Sequence, residues 1–186
     1  MTPIHVLGIS GSLRQGSYNT GLLRAAAELR PAGLTLEIYS IADIPLYSND
    51  VELAGIPEPV QDFKARIRVA DGLIIAAPEY NYSIPGVLKN ALDWASRPPK
   101  ENPFNGKPLA IMGASGGQWG TARCQYHLRQ VAVGLNLLTM NRPEILVPSA
   151  GQKFGADGNL TDQETRERIR VMLEAFAEWV RRLRTP

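Results

Sequence analysis

The sequence predicts an α/β fold: a three-layer sandwich with a five-stranded parallel sheet and helices on both faces. Three observations carry this. Short apolar runs of strand length alternate five times with segments of helical periodicity. Two of those runs read as buried strands: Ile4–Ile9, apolar but for His5, and 72–77 (GLIIAA), apolar throughout as a strand covered on both faces is. Unusual loops follow the first, third and fourth strands, Gly- and Ser-rich after the first and fourth and aromatic after the third, where a doubly wound sheet presents its ligand loops. In the strand order 2-1-3-4-5 those three strands are neighbours, so their loops meet.

In chain order, Ile4–Ile9 is strand 1, and the loop from Ser10 to Asn19 leads into a helix over 21–30 with Leu22, Leu23, Ala26, Ala27 and Leu29 on its apolar side. Pro31 and Gly33 stop it, and Leu34–Tyr39 alternates as strand 2. Residues 40–59 hold four prolines or glycines and are expected as a surface loop, with 44–47 near the site or at a subunit contact. Val60, Phe63, Ile67 and Ala70 mark a second helix over 58–70 before strand 3. Pro85 fits the first turn of a third helix running through Val87, Leu88, Ala91, Leu92 and Ala95. Asp93 and Trp94 on it suit either packing or an interface.

Strand 4 is 108–113, helix 4 is 121–135, and strand 5 is broken into 137–140 and 144–147. Thr161, with Glu164 three residues on, has the spacing of a capping box for a last helix. That helix has a seam of Ile169, Leu173, Phe176, Val180 and Leu183, and Arg181, Arg182 and Arg184 complement its dipole.

The chain has 186 residues, 44% of them hydrophobic and 20% charged, with a net charge of +2. That suits one domain, 1–186, with a sizeable core. The charge is too small to argue for nucleic acid. The single cysteine, Cys124, excludes a disulfide framework and a thiolate metal site. No acid or histidine cluster has metal-ligand spacing. Neither a signal-peptide pattern nor a run of about 18 apolar residues occurs, so a cytoplasmic protein without a membrane partner is expected.

The first loop offers hydroxyls on Ser10, Ser12 and Ser17, the Asn19 amide and the Arg14 guanidinium before a helix N-terminus. That is a donor set for a phosphate. An ordinary βα turn capped by Ser17 or Asn19 also fits the hydroxyls, but a plain turn has no use for Arg14. The glycine spacing matches neither the dinucleotide fingerprint nor a P-loop.

The second loop, Pro78-Glu79-Tyr80-Asn81-Tyr82-Ser83, exposes two aromatics, which suits a flat ligand or an oligomer contact. The third contains Gly113-Ala114-Ser115-Gly116-Gly117, a G-x-S-x-G pattern after a strand. A hydrolase triad requires a later acid and then a histidine. No acid lies between Ser115 and His127, and the other histidine, His5, precedes both. Ser115, Gly116 and Gly117 therefore read as backbone donors and close approach. His5 and His127 read as structural, and Cys124 as a small buried hydrophobe.

On GSLRQGSYN (Gly11 to Asn19), PEYNYSIPGVLKNALDW (Pro78 to Trp94) and GASGGQWGTAR (Gly113 to Arg123), the chain resembles the NADPH-dependent FMN reductase family of flavodoxin-like proteins, in particular its chromate and quinone reductases. The resemblance implies a flavodoxin-like three-layer sandwich. It implies that Ser10, Ser12, Arg14, Ser17 and Asn19 hold the FMN phosphate. Pro78, Glu79, Tyr80, Asn81 and Tyr82 would line the isoalloxazine, with Ser115, Gly116 and Gly117 at its other edge.

It also implies a homodimer or homotetramer with the flavin near the subunit interface. The expected activity is hydride transfer from NADPH or NADH to FMN, then two-electron reduction of quinone-like, azo or metal-oxyanion acceptors by ping-pong kinetics. The flavin would carry the chemistry, with no catalytic side chain. Arg123, or an Arg from a partner subunit, is a candidate for the 2′-phosphate of NADPH. The alternative is a flavodoxin-type electron carrier without its own NAD(P)H reaction, against which the mild positive charge argues. A third reading is an interaction protein with a vestigial site.

Overall fold

The computed structural model describes residues 2–184. Its sheet contains β1 (Ile4–Ser10), β2 (Leu34–Tyr39), β3 (Gly72–Ala76), β4 (Pro108–Ala114), β5 (Leu138–Thr139) and β6 (Ile145–Val147). The order is β2-β1-β3-β4-β5, every pairing is parallel, and β6 also pairs with β4. The broken fifth strand thus forms two short strands beside β4, and the sheet counts six.

Alternation along the strands builds two cores. Val6, Ile74 and Met112 face α1 (Tyr18–Leu29) and α6 (Gln163–Arg184). Leu7, Ile75 and Ile111 face α3 (Glu58–Val69), α4 (Gly86–Ala95) and α5 (Ala122–Gly134). Side chains of β3 and β4 are buried on both sides.

Several boundaries differ from the sequence expectation. The first helix begins at Tyr18, not at Gly21, because the Ser17 hydroxyl caps it by accepting from the Thr20 N–H. Gly21 lies inside the helix, and a Cβ there would meet the Gly158 carbonyl oxygen at 2.3 Å. The segment 40–59 contains a helix, α2 (Asn49–Ala54), capped by Ser48. Its residues are exposed except the half-buried Glu52, so its sequence offers no apolar stripe.

Pro85 precedes α4, and Thr121, at φ 72°, precedes α5. The last helix is capped by Asp162, not Thr161. The Asp162 carboxylate accepts from the Thr165 N–H at 2.9 Å and the Thr165 hydroxyl at 2.5 Å. Thr161 donates its hydroxyl to the Lys153 carbonyl instead. The seam of α6 is buried through Val180, while Leu183 is exposed. Arg184, in its last turn, pairs with Asp71.

Trp94 is fully buried, donates its indole N–H to the Pro45 carbonyl and meets Tyr47 edge-on at 5.0 Å. Asp93 pairs with Lys89. This makes the Asp93–Trp94 turn a packing feature, and it fastens segment 44–47 to α4. Among the described residues, no helix is long and apolar enough to cross a membrane.

Candidate functional site

The loops after β1, β3 and β4 meet around one cavity of about 200 Å³. The first supplies Ser12 and Arg14, with Ser17, Tyr18 and Asn19 at the entry to α1. The second supplies Pro78, Glu79 and Tyr80, and the third Ala114, Ser115 and Gly116. Nine of the residues expected from sequence are therefore brought together, and Tyr18 and Ala114 join them. Ser10 opens instead onto a neighbouring cavity beside Ile38 and Ile41, which shares Ser12 and Arg14 with the first. Asn81, Tyr82 and Gly117 lie outside both linings, at the exposed rim.

The first loop is rigidified by its own hydroxyls. Ser10 Oγ lies 2.8 Å from the Thr20 hydroxyl and accepts from the Ser12 N–H; Ser12 Oγ accepts from the Arg14 N–H. Arg14 is exposed, with no carboxylate paired to it among the described residues, and its guanidinium lies 5.0 Å from the Tyr18 ring centre. The first-turn N–H groups of Tyr18 and Asn19 have no acceptor within the helix, and they add partial positive charge.

Asn19 is buried and ties this loop to β4. Its amide donates to the Ala114 carbonyl at 3.0 Å and its side-chain oxygen accepts from the Ala114 N–H at 2.9 Å. One amide hydrogen is left over for the cavity.

In the second loop, Tyr80 and Ser83 exchange backbone hydrogen bonds at 3.1 and 3.0 Å around Asn81 and Tyr82, at φ 48° and 67°. Two positive-φ residues make a tight hairpin of primed type. Left-handed backbone at a bulky residue such as Tyr82 costs about 1–3 kcal/mol. The turn throws Asn81 and Tyr82 outward, which explains why neither lines the cavity.

What fixes this strained turn is a clamp to α5. Glu79 accepts from Arg123 Nε at 2.5 Å and from the N–H groups of Arg123 and Cys124 at 3.0 and 3.2 Å. The Arg123 guanidinium lies 3.6 Å from the Tyr82 ring centre and 5.8 Å from that of Trp119. His127 Nδ1 lies 3.0 Å from the Ser83 hydroxyl, a further tie between the same elements. Cys124 is buried beneath, and burial with Glu79 nearby pushes its thiol pKa up to about 12. This makes it inert at neutral pH.

The third loop is held from behind. Ser115 N–H donates to the Val147 carbonyl, and the Ser115 and Gly117 carbonyls accept from Ala150 and Ser149. Gly113 is required, since a Cβ there would sit 2.0 Å from Thr121 Oγ1 and 2.6 Å from the Ala77 carbonyl oxygen. Gly116 differs: a Cβ there meets no heavy atom within 4 Å. Neither histidine approaches Ser115, because His127 lies on Ser83 and His5 pairs with Thr35 and Glu37 at the start of β1. Among the described residues, no three acids, histidines or cysteines group as metal ligands do.

The loops converge at the ends of parallel strands, and comparison with known proteins decides the family. Residues 4–152 match the model of the NADPH-dependent FMN reductases. The chain belongs to this family. An NAD(P)H-dependent FMN reductase of Pseudomonas aeruginosa is 56% identical over 181 residues, 97% of each chain. A quinone reductase of Escherichia coli is 44% identical over 184 residues, again 97% of each. Among solved structures, the flavoenzyme NAD(P)H:(acceptor) oxidoreductase FerB of Paracoccus denitrificans is 35% identical, with a TM-score of 0.88 over 96% of this chain and 98% of that one. Family membership makes the chain an oxidoreductase and accounts for the absence of a hydrolytic triad around Ser115.

Proposed function

We propose that the chain, as one domain over 1–186, is an NAD(P)H-dependent quinone reductase that uses FMN. The observation that carries this is the convergence of three distant loops on one cavity with two kinds of wall. One wall is a phosphate donor set; the other is backbone beside an exposed aromatic.

The residues present fit FMN. Ser12, Ser17, the Arg14 guanidinium, the N–H groups of Tyr18 and Asn19 and the remaining Asn19 amide hydrogen would hold the phosphate. Ser10 supports Ser12 from behind. Pro78, Glu79, Tyr80, Ser115 and Gly116 would line the ring, with Asn81, Tyr82 and Gly117 at the rim. The open space where a Gly116 Cβ would stand suits close approach of a flat group. FMN bound there would supply the redox chemistry, hydride acceptance from NADPH or NADH and two-electron reduction of an acceptor.

The protein's part is to bind, orient and expose. The cavity is smaller than the roughly 300–1,000 Å³ of pockets that enclose a whole ligand. Its mouth lies beside Tyr80, which is 53% exposed. Donor and acceptor reach the same opening in turn, so ping-pong kinetics follow. Quinones are the favoured acceptors, in keeping with the similarity to the quinone reductase of Escherichia coli. Azo compounds and chromate are further acceptors for such an open site. A cytoplasmic homodimer or homotetramer fits the exposed Tyr82, Trp119 and Tyr126.

Arg123 is committed to Glu79 and Tyr82, which weakens its candidacy for the 2′-phosphate. The test is initial velocity with NADPH and 1,4-benzoquinone varied together. Parallel double-reciprocal lines are expected; intersecting lines, or no quinone reduction, would count against the reading.

A further inference from the structure

Beyond the three loops, a fourth segment packs behind the first of them, against Tyr18. Residues 154–160 fold back as a small hairpin, with a bridge between Phe154 and Leu160 and a Gly155 N–H bond to the Asn159 carbonyl at 2.9 Å. It is locked onto α1. Arg24 donates to the Gly158 carbonyl at 2.8 Å and to Asn159 Oδ1 at 2.7 Å, and Gly21 leaves no room for a Cβ between helix and hairpin.

This docking puts the Phe154 ring 4.9 Å from that of Tyr18, whose ring lies 5.0 Å from the Arg14 guanidinium. Phe154 is nearly buried and Tyr18 half-buried, while Arg14 is exposed. A rigid ring thus backs a second ring, which backs the one flexible cation of the phosphate wall. The family match ends at residue 152, before this hairpin begins.

We propose that Phe154 and Tyr18 are positioning residues for a phosphate monoester: the hairpin holds Tyr18, and Tyr18 holds the Arg14 guanidinium over the cavity. This rests on the proposal that the cavity takes FMN. An arginine tethered over an aromatic face has lost rotamer freedom before the ligand arrives, so less is lost on binding. The two aromatics act only through Arg14, and so only on the phosphate.

The test compares the affinities of FMN and riboflavin, which differ by that phosphate, by quenching of flavin fluorescence on the full chain. Tyr18→Leu and Phe154→Leu are expected to weaken FMN binding about two- to fivefold and leave riboflavin unchanged. Tyr18→Phe keeps the ring and is expected to keep wild-type affinity. In an Arg14→Ala background, Phe154→Leu is expected to cause no further loss. Tyr18→Leu, at a half-exposed position, decides the matter should Phe154→Leu not fold.

Equal losses for FMN and riboflavin, or wild-type FMN affinity in both leucine variants, would overturn the proposal. A wild-type protein that binds riboflavin as tightly as FMN would instead overturn the phosphate reading beneath it.

Discussion

The Glu79 carboxylate and the Arg123 guanidinium, 44 residues apart in sequence, meet at 2.5 Å through both Nε and Nη2 of the arginine. The second carboxylate oxygen caps the first turn of α5, whose own preceding residue, Thr121, makes no side-chain cap. One acid therefore joins the loop after β3 to the helix after β4. Glu79→Ala leaves a partly buried guanidinium and two N–H groups without partners. Breaking a buried pair costs about 3–5 kcal/mol, and the one-third exposure of Arg123 reduces this to about 2–3. The expected fall in Tm is about 4–12 °C. Glu79→Gln, which keeps an oxygen for the cap, is expected to lose less. Thermal denaturation followed by circular dichroism checks both; an unchanged Tm in Glu79→Ala would contradict the clamp.

Arg14 supplies the one full charge of the proposed phosphate wall. A charge-assisted hydrogen bond contributes about 1.5–3 kcal/mol. Arg14→Ala is thus expected to weaken FMN binding about ten- to a hundredfold without changing stability, because its side chain is exposed and, among the described residues, unpaired with any acid. Equilibrium dialysis against FMN measures the affinity. Wild-type affinity in the variant would sink the assignment.

Two glycines of the third loop are expected to respond in opposite ways. Gly113→Ala drives a Cβ into Thr121 and the Ala77 carbonyl, a backbone clash that costs about 1–3 kcal/mol or more. Gly116→Ala meets nothing, so stability should be unchanged or slightly raised. Its methyl group would stand where a flat ligand is proposed to lie, and FMN affinity is expected to fall about tenfold. Paired melting and FMN-binding curves test this. Equal FMN affinity in Gly116→Ala and wild type would remove Gly116 from the site.

Burial beside Glu79 raises the Cys124 thiol from an ordinary value of 9.0 to about 12. Between these values the unfolded chain has lost the proton that the folded chain still holds. The folded state then binds more protons, so stability falls as pH rises from about 9 to about 12 and is fully present below 9. Cys124→Ala should flatten this alkaline decline, as read from denaturation midpoints at pH 8 and pH 10.5. At pH 8 the native thiol is expected to resist iodoacetamide; rapid alkylation of folded protein would contradict its burial.

The parallel order and the meeting of three loops were legible because buried strands are nearly continuous apolar runs and because the same strand ends carry loops rich in Gly and Ser or in exposed aromatics. The Ser10–Asn19 and 78–82 stretches stood out for their composition. Their internal division did not. Nothing in the sequence separates Ser12, which lines the cavity, from Ser10, which turns to Thr20 and the neighbouring cavity. The outward turn of Asn81 and Tyr82 depends on two positive φ angles that neither residue announces. Glu79, Asn19 and Phe154 act across 44, 95 and well over 100 residues, so no local spacing reveals their partners. Thr161 matched a capping spacing that Asp162, one residue on, fills with a stronger acceptor.

In the proposed reaction this site passes electrons from a reduced pyridine nucleotide through bound FMN. The most direct test is an anaerobic titration of the FMN-loaded protein with NADPH, followed by flavin absorbance. The expected result is complete loss of the yellow absorbance at one equivalent of NADPH, restored on adding 1,4-benzoquinone. A yellow protein that NADPH leaves unbleached would rule out a reductase and point to an electron carrier reduced by another protein.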